Sequence, residues 1–173
     1  MSSIIVTPLS AVDETVRSHK PSHMVTLLSP EHMVGLHPGI RPERHLRLGV
    51  QDIVDRSAGD TPPAARHVLE LLEFGRDWDA ADPMLVHCWA GISRSTAAAY
   101  ILACDRGGPG SETALAKILR ARAAHADPNR LMIRIGDDLL ARRGRMVDAI
   151  EAIGRGAIAT EGVRFELPLS AVR

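Results

Sequence analysis

The sequence predicts an α/β fold: a small, mostly parallel central sheet flanked by helices, with a helical layer at the C-terminal end. Three observations carry this. Short β-branched or charge-free apolar runs alternate with helical patterns early in the chain, and helices alone follow. The run 23–28 carries no charge, as expected of a strand buried on both faces. Residues 84–100 read as an apolar strand, a short loop and an alanine-rich helix in immediate succession. At 173 residues the chain suits one domain, drawn here as 1–154, followed by a tail at 155–173.

In order, Ile4, Ile5 and Val6 mark a first strand over 3–7, and a short helix over 13–19 ends before Pro21. The second strand is 23–28. Residues 29–42, rich in Pro, Gly and His, form a loop with one helical turn near 31–34. Alternation through His45, Leu46, Arg47 and Leu48 fits a third strand over 44–50, near a sheet edge. Thr61 followed by Pro62 reads as an N-cap with proline at the first helical position. The helix it opens carries Val68, Leu69 and Leu72 on one face and ends between Phe74 and Asp77.

A strand over 84–87 leads to the loop and to a helix over 94–105, stopped by Gly107, Gly108, Pro109 and Gly110. Helices over 111–124, 130–142 and 145–153 follow, with a turn at Asp127, Pro128 and Asn129 and a break at Gly144. The basic run Arg142, Arg143, Arg145 is expected on a solvated face. Residues 163–167 suit a short edge strand or an arm that packs on a neighbour.

The stretch 84–100 is where chemistry concentrates. A helix that starts at Ser93 or Arg94 leaves its first N–H groups unpaired and puts partial positive charge at that end, which suits a phosphate. The preceding loop can curl into a nest of inward N–H groups, with Gly91 supplying the position free of Cβ sterics. Arg94 adds a planar fork for two phosphate oxygens. The same field acts on Cys88 and favours its thiolate, the nucleophilic form.

His87-Cys88, five residues and then Arg94-Ser95 resemble the HC-x5-R-S signature of the cysteine-dependent protein tyrosine phosphatases, the dual-specificity group in particular. The resemblance implies that group's fold and hydrolysis of phosphate monoesters, phosphotyrosine and phosphoserine or phosphothreonine in proteins, through a phosphocysteine on Cys88. It further implies phosphate binding by Arg94 and by the loop residues Trp89, Ala90, Gly91, Ile92 and Ser93. Ser95 would stabilise the sulfur, and His87 would be a buried orienting residue rather than a base. No lysine stands among residues 89–93, so the extra charge that lipid phosphatases of this superfamily carry there is missing. Trp89 suits the loop rim or the core equally.

The departing alkoxide or phenoxide needs an acid at the loop mouth. In open α/β sheets the crevice lies beyond the carboxyl ends of the strands, so an acid that directly follows a strand is well placed. Asp52 follows the third strand in this way, and its setting Leu48-Gly49-Val50-Gln51-Asp52 is similar to the general-acid segment of the dual-specificity phosphatases. Asp55 is the second candidate; both could instead be turn or helix caps. Cys104 reads as a buried small hydrophobe. His19, His23, His32 and His37 lack metal-site spacing and read as surface loop residues. Neither a metal nor a cofactor is called for.

Lys and Arg total 21, as do Asp and Glu, so no global field draws the chain to nucleic acid or anionic lipid, and attraction for phosphate must be local. Two cysteines do not make a disulfide framework, no window is long enough for a membrane span, and the N-terminal apolar run is too short for a signal peptide. A cytoplasmic location is therefore expected. The competing readings are a catalytically inactive phosphate-binding module and a rhodanese-like sulfurtransferase.

Overall fold

A computed structural model describes residues 3–169; positions 1–2 and 170–173, the outer ends of the expected domain and tail, lie outside the described residues. Five strands, β1 (Ser3–Pro8), β2 (His23–Leu28), β3 (His45–Gly49), β4 (Met84–Cys88) and β5 (Phe165–Pro168), form one sheet in the order β3-β2-β4-β1-β5. β1 and β4, β2 and β4, and β2 and β3 pair in parallel. Only β5 runs antiparallel, with Phe165 opposite Val6, so the 163–167 segment serves as an edge strand of this sheet.

Side chains alternate across the sheet. Ile4, Val6, Val25, Leu27 and Val86 face the larger core, built with α2 (Ala65–Asp77), α3 (Arg94–Gly107), α4 (Glu112–Arg122), α5 (Arg130–Leu139) and α6 (Arg145–Ala152). Ile5, Met24 and Leu85 face a smaller cluster with Val12 and Val16 of α1 (Val12–His19) and with Ile40. α3 lies at the centre of the helical layer, buried from Arg94 to Cys104. Its run Ala97-Ala98-Ala99 lets neighbours approach closely, and Tyr100 is fully enclosed, donating its hydroxyl to Glu112 O. No described helix is long and apolar enough to cross a membrane.

Four local expectations need correction. α2 begins at Ala65, not after Thr61. A residue that precedes proline is pushed out of the helical region, and with Pro62 and Pro63 in tandem the chain stays extended through Ala64. His67 then closes the first turn, its Nδ1 accepting from Ala64 N. α5 stops at Leu139, and Arg142 is not on a solvated face. It is 4 % exposed, with Nε 3.6 Å from the buried Glu112 carboxylate, which also meets Arg145 at 3.3 Å. The turn that carries Arg142 inward is held by buried Asp137, whose carboxylate accepts from Gly144 N and Met146 N. His23 is no loop residue but lies buried on β2.

Candidate active site

The carboxyl ends of β1, β2, β3 and β4 open onto one crevice, and the loop from Cys88 to Arg94 lies across it. The loop's conformation follows from where its carbonyls go. Trp89 O accepts from Leu9 N (3.1 Å), Ala90 O from Gly162 N (2.7 Å), Ile92 O from Asp127 N (3.0 Å) and Ser93 O from Asn129 N (3.2 Å). All four donors belong to other segments packed around the outside of the loop. Across a trans peptide the next N–H points opposite to the carbonyl, so the N–H groups of Ala90, Gly91, Ser93 and Arg94 turn to the inside. Gly91 makes the turn at φ +69° and presses against β1; a Cβ there would stand 2.7 Å from Pro8 N and 2.9 Å from Thr7 C.

Cys88 ends β4, is 2 % exposed, and has its Sγ 3.1 Å from the Ser95 hydroxyl in the first turn of α3. Arg94 is 6 % exposed. One terminal nitrogen donates to Val50 O (2.9 Å), which fixes the plane of the guanidinium, while Nε has no hydrogen-bond partner and lies 3.9 Å from Asp52 Oδ2. Asp52 sits three residues beyond β3 on an exposed turn. Its Oδ1 accepts from Ser93 Oγ (2.7 Å) and from Asn129 Nδ2 (2.9 Å). Asp55 is exposed and bonded to Ser57 N and Oγ, which hold its carboxyl below the ordinary range and make it a turn cap.

Behind the loop, His87 is buried on the α1 side of the sheet. His37 N donates to His45 Nδ1 (3.2 Å), so the His45 proton is on Nε2 and is donated to Thr26 Oγ1 (2.8 Å). The Thr26 hydroxyl in turn donates to His87 Nε2 (2.7 Å). Burial pushes both imidazoles down to about 4, so both are neutral. On the outer rim Trp89 is 56 % exposed and meets His32 edge to face at 5.5 Å. With Leu28, Ser29 and Arg94 these two line a cavity of about 220 Å³ beside the loop from Cys88 to Arg94. Cys104 is fully buried in α3, its thiol pushed up to about 12 by burial.

The chain thus brings Cys88, Arg94, Ser95 and Asp52 to one site, with residues 89–93 between them, and leaves Asp55 and Cys104 outside it. Asn129, Gly162 and Leu9 are absent from the sequence-derived set. The Asp-Pro-Asn turn before α5 signals the helix cap, and Asn129 Oδ1 does accept from Met132 N (3.0 Å), but nothing local reveals where the other end of its amide reaches. Among the described residues no group of three or more His, Cys, Asp or Glu could hold a metal ion.

No family model matches the chain, and no curated protein matches it in sequence. In structure it is similar to the crystal structure of DUSP15, with a TM-score of 0.60 and 20 % identity over 90 % of this chain and 96 % of that one. A PTP-2 phosphatase from Cydia pomonella aligns with a TM-score of 0.42 and 16 % identity, over 92 % of this chain and 91 % of that one. The fold is that of a dual-specificity-like protein tyrosine phosphatase.

Proposed function

Taking that fold as the starting point, we propose that the chain is a cysteine-dependent phosphatase. Its substrates are phosphate monoesters, phosphotyrosine and phosphoserine or phosphothreonine in proteins. The observation that carries the reading is the outward bonding of four loop carbonyls, which turns their partner amides inward between Cys88 and the buried, half-satisfied guanidinium of Arg94. Preorganised donors of this kind, aimed where negative charge gathers, are the largest single contribution in many transfer reactions.

A phosphate dianion is held by the loop amides of residues 89–93 and by Arg94. The Cys88 thiolate attacks phosphorus, the P–S bond forms as the ester P–O bond breaks, and Asp52 passes its proton to the departing oxygen. Asp52 as carboxylate then takes a proton from the water that attacks phosphocysteine. The P–S bond breaks, inorganic phosphate forms, and the Ser95 hydroxyl, 3.1 Å from the sulfur, stabilises the returning thiolate. Neutral His87 accepts from the Thr26 hydroxyl behind the loop and takes no proton. With Trp89 and His32 at the rim, the cavity of about 220 Å³ receives the organic part of the ester.

The test is phosphate release from 4-nitrophenyl phosphate by the wild type, Cys88→Ser and Asp52→Asn. Loss of turnover in Cys88→Ser and a phosphoenzyme trapped on the wild-type sulfur are expected. Phosphate binding without turnover in the wild type, or a persulfide on Cys88 with rates indifferent to Asp52→Asn, would overturn the assignment.

A further inference from the structure

Asn129 is 2 % exposed and stands far in sequence from both the phosphate loop and the acid segment, yet it bonds to each. Its Oδ1 caps α5 through Met132 N (3.0 Å), and its Nδ2 donates to Asp52 Oδ1 (2.9 Å) and to Ile53 O (3.1 Å). Its main-chain N–H donates to Ser93 O (3.2 Å). The side-chain orientation is determined by these partners. A flipped amide would set its carbonyl against a carboxylate and a second carbonyl and would lose the cap. Both amide protons and the acceptor are therefore committed, and one buried residue ties three segments together, two through its side chain and the loop through its main-chain N–H.

Two consequences follow for Asp52. With Oδ1 taken by Asn129 and by Ser93 Oγ, the oxygen left to carry a transferable proton is Oδ2, the one that lies 3.9 Å from Arg94 Nε. The segment from 51 to 64 that carries Asp52 consists of turns and bends with no helix or strand of its own. Between its two ends it is tied to the rest of the fold by few bonds: Ser93 Oγ to Asp52 Oδ1, Arg134 to Val54 O, and the two from Asn129. We propose that Asn129 is a positioning residue for the general acid. It holds Asp52 Oδ2 where the proton can pass to the ester oxygen as the P–O bond breaks, and where the carboxylate can later take a proton from water. This inference rests on the phosphatase reading above.

The test separates the two roles of the amide. Asn129→Ser keeps a good helix cap but is too short to reach Asp52 and Ile53. Hydrolysis is measured on 4-nitrophenyl phosphate, whose leaving group departs readily without a proton, and on phenyl phosphate, whose leaving group needs one. Removing a general acid costs about 10²- to 10⁴-fold, and Ser93 still holds Asp52, so kcat/KM on phenyl phosphate, which reports only the steps up to departure of the alcohol and not the later attack of water, should fall about 10- to 100-fold. On 4-nitrophenyl phosphate the loss in kcat/KM should stay within about 3-fold, well short of a typical general-acid contribution. Inhibition by inorganic phosphate should stay unchanged. Adding Asn129→Ser to Asp52→Asn should cost nothing further, because the two residues act as one unit.

Equal losses on both substrates would mean that Asn129 only caps α5, and a fully additive double variant would mean that it does not act through Asp52; either result overturns the inference. If the wild type lacks Cys88-dependent turnover of 4-nitrophenyl phosphate, the phosphatase reading itself falls and takes the inference with it.

Discussion

Replacing Gly91 by alanine puts one methyl group into the tightest part of the loop from Cys88 to Arg94. Two costs add. Alanine at φ +69° occupies the left-handed region, at about 1–2 kcal/mol. Its Cβ would also stand 2.7 Å from Pro8 N, 2.9 Å from Thr7 C and 3.1 Å from Pro8 Cα. These are main-chain atoms of β1, where Thr7 and Pro8 are in register with His87 and Cys88, so they cannot move aside without pulling the strand that ends in Cys88. Overpacking of this sort costs about 1–3 kcal/mol. The total, about 2–5 kcal/mol, is a large part of the roughly 5–15 kcal/mol of a typical domain. The chain can relieve it by swinging the loop off β1, which breaks the bonds from Leu9 N and Gly162 N and turns the amides away from the inside of the loop.

Gly110→Ala is the control. Gly110 also has positive φ, +97°, but nothing lies within 4 Å of its would-be Cβ, so only the backbone cost of about 1–2 kcal/mol applies. Urea unfolding of both variants, together with inhibition of turnover by inorganic phosphate, reads the difference. Gly91→Ala should be the less stable by about 1–3 kcal/mol and should alone bind phosphate more weakly. Equal stabilities, or unchanged phosphate inhibition in Gly91→Ala, would refute the account of a loop pinned from outside with its amides turned in.

Two further outcomes are expected. His45 and His87 are held at about 4 by burial, below the ordinary 6.5. The unfolded chain therefore binds more protons than the folded one between these values, and stability, complete above pH 6.5, is lost as pH falls toward 4. His87 contributes on the order of 3 kcal/mol to this loss. His23, His67 and His125 are lowered by burial and act with the same sign. Urea midpoints between pH 7.5 and pH 4.5 should fall steadily; a flat profile would contradict neutral buried imidazoles. Glu112→Gln leaves the buried Arg142 guanidinium without its counter-charge and should cost about 3–5 kcal/mol by urea unfolding, without altering phosphate inhibition. A loss below about 1 kcal/mol would show that the pair is not effectively buried.

Much of this architecture is readable from local pattern. The charge-free run 23–28, the apolar strand that ends in Cys88 and the glycines that close α3 each declare themselves within a few residues, because strand period and turn chemistry are short-range properties. The spacing of Cys88 and Arg94 across one loop is equally local, and so is Asp52 just beyond β3. Where local rules failed, a distant partner prevailed. Arg142 turns inward because Glu112 lies buried at the start of α4, and α5 gives up its last turn to let it. Thr61 loses its capping role because tandem prolines keep the chain extended for three residues more.

The sequence by itself determined the elements and one short segment in which sulfur, guanidinium and amides share a single turn, since all of these lie within seven residues. Only the tertiary structure decided that the loop's carbonyls bond outward to Leu9, Gly162, Asp127 and Asn129, and that Asn129 holds Asp52 from 77 positions away. A residue's type announces what it can donate or accept. Which partner takes the bond depends on the path of the whole chain through space, and no short window of sequence contains that path.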